Sequence, residues 1–293
     1  MENIEGLFSP PQNFAGLASP YADLQTAQVV ILPVPYDSTT TWQSGTREGP
    51  RAIIDASQYL EFYDIEQDRD IYEVGIHTLP AVQPLMNSPE KMIDRLYRIA
   101  SELAKKQKFL VMLGGEHSLS LGMVQALREN FNDLCVLQLD AHADLRDEYL
   151  GTKYSHACVM RRIFELCNIV QVGIRSLSRE EKHFLAQNNL NPFYISTPNS
   201  ILTSRDSIIA SLSDNVYVSI DMDVFDPSVM PAVGTPVPGG MQWHEVLSLL
   251  RSITLHKSVI GFDLVELCPK NNTDACAFLA AKLAYKLIGY AIP

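Results

Sequence analysis

Residues 134–144 read LCVLQLDAHAD. The first six are uncharged and mostly apolar, without the polar alternation of a half-exposed strand, which predicts a strand buried on both faces. The next five set Asp140, His142 and Asp144 two apart, with Ala141 and Ala143 between them. Extended backbone points successive side chains to opposite sides, so the three polar groups would face one way and the alanines the other. A doubly buried strand that ends on such a cluster suits an α/β sheet whose strand ends carry the chemistry.

Comparable apolar runs occupy 29–35, 109–113, 168–174, 192–196, 216–220 and 259–266. Stretches with apolar residues three and four apart lie between them at 89–106, 118–129, 178–187, 242–253 and 273–288. This alternation predicts a parallel sheet covered by helices on both sides. No repeat, low-complexity tract or linker interrupts it, so residues 1–293 read as a single domain. The proline-rich N-terminal segment and residues 227–241, PSVMPAVGTPVPGGM, lack periodicity. A long irregular loop of the second kind is either functional or a rigid crossover.

With 46% hydrophobic residues the chain can bury a large core. Its formal charge of -11 argues against nucleic acid and anionic membrane surfaces and is compatible with a small cationic partner. The segment MENIEGLFSPPQNF has acids where a targeting signal has a basic start. No apolar run approaches the roughly 18 residues of a membrane span. The expectation is a cytoplasmic protein. Its five cysteines have no C-x-x-C spacing and read as reduced, mostly buried thiols, with a thiol catalyst as the alternative.

Two more strand ends repeat the crowding at 140–144. SIDMDVFDP, from residue 219, places Asp221 and Asp223 two apart, and LGGEHSLSLG, from residue 113, supplies Glu116 and His117. Taken alone, a D-x-D pair also occurs in solvated loops, a Gly-Gly pair makes turns, and Glu116 or His117 could cap a helix. Together the three place four aspartates and two histidines at one sheet edge. That many charges a few ångströms apart repel by several kcal/mol unless cations intervene. Carboxylate and imidazole donors without thiolate suit Mn, Fe or Zn, and the carboxylate share favours Mn. Six donors suit a metal pair, which would activate water. His156 reads as a proton carrier or an ordinary surface histidine. Glu266 ends an apolar strand and needs a counter-charge, from a guanidinium substrate or from a structural arginine such as Arg175, with Asp263 as its competitor.

These residues resemble the ureohydrolase family of arginases and agmatinases over nearly the whole chain. The likeness runs through SGTREGPRAI (44–53), GGEHSL (114–119), DAHADLRD (140–147), GIRS (173–176), SIDMDVFDPS (219–228), GTPVPGG (234–240) and DLVELCP (263–269). It implies a three-layer α/β/α domain with a central, mostly parallel sheet of eight strands, two manganese ions and trimers or hexamers. By motif position, one ion would be held by His117, Asp140, Asp144 and Asp221, the other by Asp140, His142, Asp221 and Asp223. The implied reaction is attack of hydroxide on a guanidinium carbon, with Asp144 steadying the tetrahedral species, His156 carrying the proton and Glu266 gripping the guanidinium. Ala157 stands where the family usually has Gly after that histidine.

The arginine-gripping positions of the family read Arg146, TKYSH and Ser178 here, which disfavours arginine. Agmatine, hydrolysed to putrescine and urea, is the expected substrate, with Asp147 and Arg146 at the substrate end. Aminopropyl-agmatine and guanidinobutyrate are the other guanidino candidates. A non-catalytic metal-binding homologue is the rival class.

Overall fold

The computed structural model describes residues 9–195, 197, 199–269 and 274–293. Residues 1–8, where the N-terminal reading begins, as well as Ser196 and Thr273 at the edges of two predicted elements, lie outside that set. The first half of the chain forms β1 (Val29–Val34), α1 (Gly49–Ser57), β2 (Tyr63–Asp64), β3 (Arg69–Asp70), β4 (Ile76–Thr78), α2 (Pro89–Ala104), β5 (Phe109–Gly114), α3 (Ser120–Arg128) and β6 (Cys135–Leu139). The second half forms α4 (Val159–Phe164), β7 (Asn168–Val172), α5 (Arg179–Gln187), α6 (Ser200–Thr203), α7 (Arg205–Ser211), β8 (Asn215–Asp221), α8 (Trp243–His256), β9 (Ser258–Val265) and α9 (Asp274–Ala291).

Seven strands pair in the order β4-β1-β5-β9-β8-β6-β7, every neighbour parallel. Both faces are buried. Val29, Ile31, Leu113, Leu137 and Val218 point to one side, where Ile53 of α1, Leu250 of α8 and Leu287 of α9 meet them. Val30, Leu32, Met112 and Val136 point to the other, against Leu96 of α2, Val124 of α3 and Ile163 of α4. The period-two alternation thus separates two apolar cores, giving the three-layer α/β/α arrangement. No described helix is long and apolar enough to cross a membrane.

The sheet has seven strands among the described residues, against the eight implied by resemblance. The run at 192–196 makes one parallel bridge, Val172 to Phe193, beside β7. Pro192 has no N–H to extend that ladder. Three helical pieces went unread: α1 opens on Gly-Pro, and α6 and α7 have seven residues or fewer, too short to display a helical period. In contrast α2 is plain in the sequence. Ser88 caps it by accepting the Lys91 N–H at 3.2 Å, and Met92, Ile93, Leu96, Ala100 and Leu103 form its buried stripe.

Strands β5, β9, β8 and β6 are contiguous, and their C-terminal ends deliver residues 114–117, 266, 221–223 and 140–144 to one edge. β1 contributes the loop that covers this edge. Gly115 N–H donates to Val34 O at 3.0 Å and Glu116 N–H to Tyr36 O at 2.8 Å. A Cβ on Gly115 would lie 1.9 Å from Tyr36 O, so only glycine allows the two backbones to cross so closely. Beyond Tyr36, the buried Asp37 carboxylate accepts from Gly45 N–H at 2.8 Å and from Arg47, folding residues 37–47 back over the edge.

Far from that edge, β2 joins α9 through Asp64, whose carboxylate accepts from Lys286 Nζ at 2.9 and 3.0 Å. Burial pushes this carboxyl up, but Lys286, the Gln67 N–H and the nearby lysine charges outweigh it and hold it below the usual range. Asp64→Ala leaves Lys286 buried with Glu66, at 2.8 Å, as its one remaining carboxylate among the described residues. Urea denaturation at pH 7 is expected to show a loss of about 3 kcal/mol. Because the folded-state pKa is depressed, this contribution is complete above the unfolded value of about 3.9 and fades as pH falls below it. The gap between parent and variant should therefore shrink on acidification; a gap independent of pH would refute the assignment.

Candidate active site

Six side chains from three strand ends converge. The Nδ1 of His117 lies 3.1 Å from Asp140 Oδ2, 3.1 Å from Asp144 Oδ2 and 3.4 Å from Asp221 Oδ2. The Nδ1 of His142 lies 2.9 Å from Asp223 Oδ2 and 3.7 Å from Asp140 Oδ1. Ligand atoms of His117, Asp140 and Asp221 fall within 4.8 Å of one another, and so do those of Asp140, His142 and Asp223. Asp140 belongs to both groups.

Local backbone explains the convergence. Asp221 ends β8 and accepts the Asp223 N–H at 2.9 Å, which turns the chain and brings Asp223 to the same side. Asp223 accepts the Ala141 N–H at 3.0 Å, joining the loop after β8 to that after β6. Asp144 takes a left-handed backbone conformation, φ 52°, which turns the chain at the end of the cluster. Gln138 donates to Asp140 Oδ2 at 2.6 Å and is itself held by Gln171 at 2.6 Å.

The electrostatics record the crowding. Desolvation, with the charges of Asp223 and Asp144, pushes Asp140 up to about 7. Asp221 is driven well above the carboxylate range by burial and by Asp223 and Asp140. Burial opposes charge on His142, yet Asp223 and Asp140 outweigh it and raise the imidazole to about 11. Asp223, despite burial, is held at about 2 by His142.

The donor set fits divalent cations. The Nδ1 of His117 is buried and accepts or donates no well-formed hydrogen bond, although three carboxylates surround it. Its Nε2 meets Ser219 Oγ at 2.9 Å, and Ser219 donates to Asp263 Oδ1 at 2.8 Å. This outer chain of partners puts the ring proton on Nε2 and turns the Nδ1 lone pair to the carboxylates, the usual support of a ligating histidine. Asp263 is thereby engaged behind the site, wholly buried.

A cavity of about 260 Å³ opens over this cluster, with His142, Asp144, Asp221, Glu266, His156 and Arg146 in its wall. Glu266 has φ 63°, a strained conformation for a non-glycine residue. Its Oε1 accepts the His117 N–H at 2.7 Å. Burial, and secondarily Glu116 and Asp223, drive its carboxyl well above the normal range. Arg175 does not neutralise it, because that guanidinium donates to Asp223 O at 2.7 Å and Val237 O at 2.8 Å. Among the described residues no lysine or arginine pairs with Glu266.

His156 begins a short 3₁₀ turn and faces the cavity, its pKa lowered by burial. Arg146 lies over the Tyr149 ring, 4.9 Å from its centroid. Asp147 points elsewhere: it pairs with Arg162 at 2.6 Å, half exposed, and does not line the cavity. The loop 227–241 combines both readings, since Val237 O anchors Arg175 while Gly234 and Thr235 line the cavity. The sequence reading overlooked Trp42, Gln43, Glu181 and Thr235 in the wall. Glu181 lay in a helix start that looked like an ordinary cap, which it also is, accepting Ser178 N–H at 2.6 Å.

A family model described as the Arginase family matches residues 27–289. The chain is 37% identical over 281 residues to an N(1)-aminopropylagmatine ureohydrolase of Synechocystis, covering 92% of this chain and 90% of the relative. It is 35% identical over 277 residues to an agmatinase of Pyrococcus horikoshii, covering 92% and 94%. The solved structure of the agmatine ureohydrolase of Thermoplasma volcanium superposes with a TM-score of 0.87 at 32% identity, over 99% of this chain and 97% of the other.

Proposed function

The chain belongs to the arginase family of ureohydrolases, and from that premise we propose that it hydrolyses the guanidino group of agmatine, releasing urea and putrescine. The observation that carries the reading is the pairing of two His–Asp clusters with Glu266, a buried carboxylate in the cavity wall without a counter-cation among the described residues. A guanidinium group supplies that missing charge.

We assign His117, Asp140, Asp144 and Asp221 to one divalent ion and Asp140, His142, Asp221 and Asp223 to a second. Nitrogen and carboxylate donors in this proportion suit manganese. When bound, such a pair provides Lewis acidity and hydroxide at neutral pH. Glu266 accepts N–H bonds from the guanidinium and orients its carbon over the aspartates. Asp144 offers a carboxylate to a guanidinium N–H as the carbon becomes tetrahedral. His156 gives a proton to the departing nitrogen. In balance, the oxygen of water bonds to the guanidinium carbon, the carbon–nitrogen bond to the alkyl chain breaks, and the products are urea and an ammonium.

A second reading has specific support. The Synechocystis relative is named for N(1)-aminopropylagmatine, a longer cation with the same reacting group. Arg146 in the wall is the one feature that would suit an acid-ended guanidino compound, and Glu181 in the same wall is its counterpart for an amine. Urea release from agmatine, aminopropyl-agmatine, guanidinobutyrate and arginine, measured side by side on the manganese-loaded protein, separates these. The amines are expected to lead in kcat/KM. Urea from none of the four would refute ureohydrolysis and favour a metal-binding homologue without turnover. The proposal also takes residues 1–293 as one domain, with the family's trimer or hexamer as its assembly and the cytoplasm as its compartment; light scattering of the purified protein tests the assembly.

A further inference from the structure

We propose that Thr39 and Glu116 are positioning residues for His156, holding its imidazole in the tautomer with the proton on Nδ1 and the lone pair on Nε2. The inference rests on the reading of His156 as the proton carrier. Thr39 comes from the loop after β1 and Glu116 from the turn after β5, so the arrangement exists only where those two backbones cross.

The geometry is a directed chain of donors. The His156 backbone N–H donates to Thr39 Oγ1 at 3.0 Å, and His156 Nδ1 lies 3.2 Å from the same oxygen. Thr39 Oγ1 donates to Glu116 Oε1 at 2.7 Å, and Thr39 N–H donates to Glu116 Oε2 at 2.6 Å. Ser118 Oγ also donates to Oε1, at 2.5 Å. Glu116 has no solvent exposure, and among the described residues Thr39 and Ser118 are the hydrogen-bond donors to its carboxylate, with Asp37 and Glu266 as charged neighbours.

A hydroxyl has one proton and two lone pairs. Thr39 commits the proton to Glu116 and one lone pair to the His156 backbone. The remaining lone pair can only accept, which requires Nδ1 to carry its hydrogen. Nε2 is then the nitrogen left to pick up a proton and return it to a leaving amine. In the opposite tautomer the lone pair would point at Thr39 and be useless to the reaction, as when a misassigned ring proton disables a catalytic histidine elsewhere. Glu116 neither lines the cavity nor faces a reacting atom. Its hydrogen-bonded path to His156 runs through Thr39, while its charge also bears on Glu266.

The test uses full-length protein, ¹⁵N-labelled at histidine and loaded with Mg²⁺ to avoid paramagnetic broadening, with His156 assigned by the loss of its signals in His156→Asn. The parent is expected to show His156 protonated at Nδ1 in the neutral form. Thr39→Val, which keeps the shape and removes the hydroxyl, should mix or invert the tautomer, and Thr39→Ser should restore it. In the manganese form, Thr39→Val should lower kcat by about 10- to 100-fold with KM within about two-fold and metal content unchanged. Thr39→Ser should recover most of the rate, and Glu116→Gln should repeat the tautomer change. An Nε2-protonated ring in the parent, or a tautomer and kcat that ignore Thr39→Val, would overturn the proposal. The tautomer is read without substrate, so it judges the positioning even if no guanidino compound yields urea and the proposed function falls.

Discussion

Asp223→Ala is expected to yield a folded chain that retains at most one of the two proposed ions and releases urea at least about 1,000-fold more slowly, a loss of several kcal/mol of transition-state stabilisation. Asp223 concentrates three tasks in one buried side chain. Its Oδ2 is 2.9 Å from His142, its Oδ1 holds the Ala141 N–H, and its charge raises the pKa of Asp140 and of Asp221. Removing it leaves His142 with the more distant Asp140, at 3.7 Å, and one backbone N–H unpaired, at about 1–3 kcal/mol. That is a modest part of a stability of about 5–15 kcal/mol, and the two apolar cores on either side of the sheet are untouched, so far-UV circular dichroism should hardly change. Metal content by elemental analysis and urea release are the decisive readings. Retention of both ions with activity within ten-fold of the parent would refute the assignment of Asp223 as a ligand.

The parts of this site that were legible in the sequence share a physical cause. Asp140, His142 and Asp144 stand out because a doubly buried strand has no reason to end on repelling groups unless something offsets them, and β8 with Asp221 and Asp223 repeats the anomaly. Long strands apolar on both faces and long amphipathic helices such as α2 and α8 carry their period within themselves. The remainder depends on distance in the chain. Thr39 looks like one of three successive threonines in a loop until the Gly115 crossing brings it to Glu116, 77 residues away. Ser219 reads as a strand residue and Asp263 as the competitor of Glu266 for a guanidinium, and only the parallel pairing of β8 with β9 sets the two side by side behind His117. Asp147 shows the converse: charge beside a motif suggested a substrate contact, whereas the fold turns it toward Arg162 on α4. Strand β4 has three residues and borrows its order from β1, so nothing local announces it.

Glu266→Gln separates binding of the substrate from binding of the metals. Glutamine keeps the shape and an acceptor for the His117 N–H, so the turn that presents His117 survives and both ions should stay at parent occupancy. What disappears is the charge. A guanidinium drawn into the cavity would lose its buried counter-ion, a change that costs about 2–5 kcal/mol when one partner of a desolvated pair is neutralised. The expectation is therefore a fall of about 30- to 5,000-fold in kcat/KM. Weaker competitive inhibition by guanidinium ion should accompany it. The same substitution should leave thermal stability equal or higher, because a buried carboxylate without a cation is itself costly, while the strain of the backbone at φ 63° is common to glutamate and glutamine. A residue kept in such a conformation against the interest of the fold belongs where function requires it, and a loss of activity without a loss of stability is the signature of that conflict. Glu266→Ala extends the test by removing the acceptor as well: metal retained, turnover lost and the His117 turn loosened. Parent-like kcat/KM in Glu266→Gln, or loss of metal in both variants, would move Glu266 from the substrate to the metal side of the site.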